Sequence, residues 1–290
     1  MGTNTPNFNL YKPAVGEVGW GATVDTNWDT IDANLTNALP RAYLAGCQLS
    51  NDGGSPNTKI DISAGQAQDV NNAGAMTLTA IIKDISASWA VGTGNGGLAG
   101  ALTLTASTWY HVFVIKRTDT NVVDAYFDSS VSAANIPAPY TLFRRVGSVK
   151  VDGSKNLLPF AQDGDYFRWK TSVLDVSQAN PGTSAVLAAL SVPLGLTVQA
   201  IMNVLLNGST TGQFIVHISD PAENDETPSL TAAPLGSAGV QNTSAFNMAF
   251  RVVERVNTSQ QIRYRLSASG ASDHFYVATL GWYDTRGKNG

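Results

Sequence analysis

From Pro40 onward the chain is written in short runs rich in β-branched and aromatic residues, each bounded by Gly, Asn, Asp or Pro. Runs of that kind restrict the chain to a mainly β fold, because helices need longer stretches of 3.6-residue periodicity. Expected strands cover residues 42–49, 59–62, 65–70, 76–78, 110–117, 122–127, 141–151 and 157–162, then 197–206, 213–218, 245–254, 261–267 and 274–283. Alternation is clearest after His111, where Val112, Val114 and Lys116 face one way and Phe113, Ile115 and Arg117 the other. Asp52-Gly53 and Asp152-Gly153 are turn signals. Residues 78–91 read as partly helical, and 184–196 is ambiguous between a strand pair and a short helix. Two antiparallel β domains are expected, a β-rich module over 41–172 and a sandwich of jelly-roll type over 173–290, with a long polar loop over 220–244.

The first 40 residues follow other rules. Pro6, Pro13 and several glycines oppose helix, while Phe8, Leu10, Tyr11, Val15, Val18 and Trp20 carry apolar groups that an extended arm cannot bury by itself. Phe8, Leu10, Tyr11 and Trp20 are therefore the expected anchoring residues. Next, Val24, Trp28, Ile31, Leu35 and Ala38 recur at steps of 4, 3, 4 and 3, the seam of a short coiled-coil-like helix packing on its own copies. The other reading is a helix lying on the protein's own core. Asp25 or Thr26 is the expected N-cap, and Pro40 the stop.

The Pro6–Leu35 segment, with its Pro-Asn-Phe, Lys-Pro, Gly-Trp-Gly and Val-Asp-x-Asn-Trp-Asp-x-Ile-Asp elements, resembles the N-terminal segment of tailed-bacteriophage tail-fibre and related virion appendage proteins. The likeness continues through six ordered motifs that begin at Tyr43, Ile60, Trp89, Trp109, Arg144 and Phe160, which look like a recurrent module of phage tail proteins. It implies an arm that docks on the particle, a helix that begins a homotrimer, and a structural module without assigned catalytic residues. No comparable likeness covers the C-terminal half.

Composition narrows the function classes. Charged residues make up only 14% of the chain, against about 25% in a typical soluble domain. The formal net charge is −4, and the two basic clusters, Arg144-Arg145 and Arg286 to Lys288, are too small to neutralise a nucleic-acid backbone. At 290 residues the chain can bury real cores without metal or disulfide. One cysteine, Cys47, builds no disulfide framework. Neither a signal peptide nor a membrane span is expected.

Motifs that could carry chemistry are weak. Gly92-Thr93-Gly94-Asn95-Gly96-Gly97 satisfies G-x-G-x-x-G but lacks the strand-to-helix context of a dinucleotide site. His111, His217 and His274 are scattered, with no zinc spacing. A Ser-His-Asp triad assembles in space and stays open, although no G-x-S-x-G elbow favours it. Asp163-Gly164-Asp165 and the cluster Asp220, Glu223, Asp225 and Glu226 are the carboxylates to weigh for glycan cleavage or calcium, and a turn and a solvated loop are the simpler readings. Aromatic groups gather near the C-terminus; Phe275 and Trp282 read as core, and His274, Tyr276 and Tyr283 as candidate receptor contacts. The expectation is a non-enzymatic virion protein, assembled in the host cytoplasm and using no cofactor or metal: a trimeric short tail fibre or receptor-binding protein. Its partners would be other phage virion proteins of tail or capsid and a host cell-surface glycan or protein, with no nucleic acid and no membrane insertion. The alternatives are a head-decoration or head-fibre protein and, behind it, a glycan-degrading tailspike.

Overall fold

The computed structural model describes residues 2–5, 10–36, 40–209, 212–229, 231–242 and 245–288. Phe8 and Ala38 lie outside them, and of Leu35 only the helical backbone is described. The arm turns back on itself, pairing β1 (Thr3–Asn4) antiparallel with β2 (Tyr11–Lys12). Helix α1 (Gly21–Thr36) follows. Asn27 on the helix reads both backbone groups of Tyr11, accepting from its N–H at 2.7 Å and donating to its carbonyl at 2.6 Å. Neither Asp25 nor Thr26 caps the helix. The Trp20 carbonyl opens the ladder by accepting from the amides of Thr23 and Val24, after a turn through Gly19 at φ 78°, so both polar residues lie inside the helix. There the Thr26 hydroxyl bonds back to the Ala22 carbonyl.

The central region contains β3 (Leu44–Gly46), β4 (Leu49–Asn51), β5 (Lys59–Ile62), β6 (Gly65–Gln68), β7 (Ala75–Leu78), β8 (Ile81–Ser88), β9 (Gly96–Leu98), β10 (Trp109–Lys116), β11 (Val123–Asp128) and β12 (Leu142–Lys150). Seven of these form one sheet in the order β12-β10-β11-β9-β8-β5-β4, and β3-β6-β7 form a smaller one. Pairing is antiparallel except at β9, which runs parallel to β8 and β11. Residues 78–91 hold no helix. Their strand β8 carries Lys83 inward between Ile81 and Ile85, and this charged inward residue hides the two-residue alternation. Strand β10 is buried on both faces. Val112 and Val114 join the main core, while Phe113 and Ile115 pack in a second cluster with Tyr126 and Tyr140.

Strand β13 (Phe160–Asp163) leads into the C-terminal strands β14 (Tyr166–Ala179), β15 (Val186–Ala189), β16 (Gln199–Gly208), β17 (Gly212–Ser219), β18 (Ala238–Asn242), β19 (Phe246–Arg255), β20 (Gln261–Leu266) and β21 (His274–Tyr283). They lie in two sheets, β13-β14-β21-β16-β19 and β15-β20-β17-β18. The antiparallel pairs β14–β21, β15–β20, β16–β19 and β17–β18 are the rungs of one long hairpin ribbon rolled into two layers. This is the eight-stranded jelly roll, with β13 added at an edge. Ring contacts Tyr264–Phe275 and Phe214–Phe246 join the layers.

The expected boundary at 172/173 falls inside β14, where the strand bulges out of register with β21 between Arg168 and Val173. One hydrophobic cluster spans both sides of it. At its centre Trp282 stacks on Phe167 and meets Trp109 edge-on at 5.4 Å and Trp169 at 5.1 Å. Burying three indoles together makes this junction a core.

Candidate functional site

Among the described residues no side chain of the arm or helix is buried. Val24 and Ile31 are half-exposed, Trp28 is 65% exposed, and Trp20 is 46% exposed beside the open Val15 and Val18. Leu10 and Tyr11 are half-buried, and the Tyr11 hydroxyl donates to Glu17. Among the described residues the helix thus presents an apolar stripe, Val24, Trp28 and Ile31, that this chain does not bury.

At the other end, the two-residue period of β21 sends Phe275 and Val277 inward and His274 and Tyr276 outward, and a shift in register with β16 between Thr279 and Gly281 turns Trp282 inward as well. The two outward rings lie nearly parallel, with their centroids 6.0 Å apart. Register places Asn207 and Asn247 in the row of His274, and Leu205 and Ala249 in the row of Tyr276. Leu174 and Val253 stand exposed on the same sheet. Tyr283 packs on Tyr166 at 5.0 Å, but at ~3.3 Å per residue it lies about 23 Å along the strand from Tyr276. His274 and Tyr276 therefore share a patch that Tyr283 does not join.

The motifs weighed for chemistry have structural uses. The Gly92–Gly97 loop wraps a buried ion pair, Lys83–Asp124 at 3.0 Å. The Lys83 ammonium donates to the carbonyls of Ala90 and Gly92, and the Gly92 amide donates to Asp124. A Cβ on Gly97 would lie 2.6 Å from the Phe127 ring, so that glycine serves close packing. Cross-strand register sets Ser148, His111 and Asp128 side by side on three strands. Ser148 Oγ sits 2.9 Å from His111 Nδ1, while Asp128 accepts from Asn135, Ser130 and Tyr126. All three are at most 1% exposed, so Ser148 faces core and has no open side for a substrate. Burial, helped by the Arg145 charge and opposed by Asp284 and Asp128, pushes His111 down to about 4.

Carboxylates are likewise engaged. Asp165 pairs with Arg286 and Lys288. The 220–226 loop is clipped to the jelly roll by Asp220–Arg255 and Asp225–Arg265 and by Arg263, which donates to the carbonyls of Pro221 and Glu223. Asp220 is buried, whereas Glu223, Asp225 and Glu226 are exposed, as the solvated-loop reading expects. Among the described residues no three metal-ligating side chains converge.

Sequence reading kept the two basic clusters apart, but the fold joins them. Arg144 and Arg145 on β12, Arg286 in the C-terminal turn and Arg41 before β3 line one cleft of about 260 Å³, walled by Phe113, Phe143, Val131 and Leu196. Arg145 forks onto Asp284 through two 2.6 Å bonds, and Arg286 donates twice to Asp165. Arg144 is 4% exposed and has no carboxylate at ion-pair distance among the described residues. One nitrogen reaches the Ala42 carbonyl at 3.4 Å, and Nε has no partner. Burial, together with the charges of Arg145 and Arg286, holds the Arg144 pKa below its usual value, and Asp69 opposes them. The sequence signal available beforehand was only the two short basic clusters in a chain with 18 Lys and Arg; their meeting with Arg41 is a product of the packing.

A scan against protein-family models finds no match for this chain, and a search of curated proteins finds none.

Proposed function

We propose that this chain is a structural attachment protein of a tailed-phage particle, a trimeric short tail fibre or receptor-binding protein that works by recognition. The observation that carries the reading is the uncovered helix. A 16-residue helix with a tryptophan 65% exposed on its apolar stripe, and no buried side chain among those described over residues 21–31, needs a partner surface, and copies of itself satisfy a 4-3 spacing. The jelly roll supports the distal role, since its outer sheet offers a stacked His274–Tyr276 pair bordered by Asn207 and Asn247, a surface suited to glycan or protein contacts. Three linked copies would turn weak contacts into avid attachment.

Multi-angle light scattering of the full chain tests the reading. A trimer that Ile31→Asp dissociates is the expected result, and a monomer at micromolar concentration overturns it. Adsorption to host cells should then fall in Tyr276→Ala while the melting temperature holds. If particles without the protein infect normally, the role moves from attachment to decoration of the particle.

A further inference from the structure

The arginine cleft has the composition of a ligand site. Two of its four cations are neutralised within the fold, Arg145 by Asp284 and Arg286 by Asp165. Arg41 and Arg144 are not: among the described residues neither has a carboxylate at ion-pair distance. Asp69, whose charge favours Arg144, accepts instead from the amides of Asn71, Ala73 and Phe143. A buried guanidinium without an anion is costly unless something completes it. Its fork geometry matches a carboxylate or phosphate. Access is open on one side, because Gly287, at φ 72°, has no side chain there; a Cβ would stand 3.6 Å from the Arg144 Nη2.

We propose that this cleft binds a small oxyanion, one carboxylate or phosphate group on a compact organic body, with Arg144 as its ligating guanidinium and Arg41 at the rim. Phe113, Phe143, Val131 and Leu196 form the apolar wall that a compact organic body would pack on and that a bare ion would not need. The site lies where the central region meets the jelly roll, a common position for ligand clefts. A free phosphate and an acidic sugar share this chemistry. The inference stands independently of the attachment reading.

The test is thermal unfolding of the full chain at fixed ionic strength, titrated with inorganic phosphate, glucuronate, glucose 6-phosphate and, as neutral control, glucose. Saturating anion should raise the wild-type melting temperature by about 2–5 °C. Arg144→Gln should lose that response, and should melt without anion at or above the wild-type temperature because a buried uncompensated charge has been removed. Arg41→Gln, at an exposed position, should fold normally and raise the half-saturating concentration about fivefold. A stronger response to glucuronate or glucose 6-phosphate than to phosphate supports the proposal, and a stronger response to free phosphate overturns the organic body and with it the role of the apolar wall. No response to any anion, or a response that Arg144→Gln and Arg41→Gln retain unchanged, overturns it.

Discussion

Arg145 on β12 donates one 2.6 Å hydrogen bond to each carboxylate oxygen of Asp284, across 139 residues of sequence. Burial alone would push the Asp284 carboxyl up, but the charge and hydrogen bonds of Arg145, with the amide and charge of Arg286, hold it below the usual carboxylate range. The pair ties the edge of the seven-stranded sheet to the end of the jelly roll. It also offsets part of the positive charge around Arg144.

Asp284→Asn should therefore destabilise the chain by about 3–5 kcal/mol, because it leaves Arg145 buried and half-paired. Urea unfolding at pH 7 measures this. Adding Arg145→Met should recover part of the loss, and a cost below 1 kcal/mol in the single variant would remove the pair from the interactions that hold the junction. Because the folded pKa lies below the unfolded one, near 3.9, the contribution is present above about pH 4 and is lost as pH falls further.

His111 sets a different acid limb. Its folded pKa of about 4 lies below the unfolded value of about 6.5. The unfolded chain then binds a proton that the folded chain refuses, and stability falls as pH drops from about 6.5 to about 4, by roughly 3 kcal/mol in all. Above pH 6.5 the residue is neutral in both states and contributes nothing. His111→Asn keeps an amide near the Ser148 hydroxyl and removes the titration, so its stability should fall less steeply between pH 6 and 4.5. Parallel stability curves for the two proteins would refute this.

How far the fold was legible depended on what faced inward. Strand β10 was legible as a run of β-branched and aromatic residues, apolar on both of its buried faces, and β21 because buried apolar residues alternate with outward ones over its first half. Strand β8 escaped because its inward lysine is satisfied by groups outside the strand, the carbonyls of Ala90 and Gly92 and the carboxylate of Asp124, 41 positions later. Strand β14 escaped because it changes surroundings midway: Phe167 and Trp169 point into the shared core, and the polar Lys170, Thr171 and Ser172 then bulge out of register with β21. The glycine motif gave no hint that its loop encloses an ammonium group. The arginine cleft was illegible for a related reason, since its members come from residues 41, 144–145 and 286, which only the packing of the two regions brings together.

Cys47 should be silent to thiol reagents in the folded protein. Its side chain is fully buried and burial pushes the thiol up to about 11, with Arg286 opposing. Since the thiolate is the reactive species, labelling at pH 8 should wait on opening of the structure and accelerate sharply across the urea transition. Rapid stoichiometric labelling of the native chain would place Cys47 in a part of the fold that opens without global unfolding.

The last prediction separates the arm from the body. Deleting residues 2–40 removes no side chain that the described fold buries, so residues 41–290 should stay folded and melt within about 2 °C of the full chain once both are compared as monomers. A cut at 173 is different in kind. It takes Trp109, Phe167 and Trp169 away from Trp282, removes Arg145 from Asp284, and splits β14 from its own first half. Residues 173–290 alone should therefore lack near-ultraviolet circular dichroism and a cooperative melt, despite containing most of the jelly roll. A cooperative transition in that fragment would mean that the tryptophan cluster only joins two self-sufficient halves, and a large loss of stability on deleting 2–40 would mean that the helix packs on the body after all.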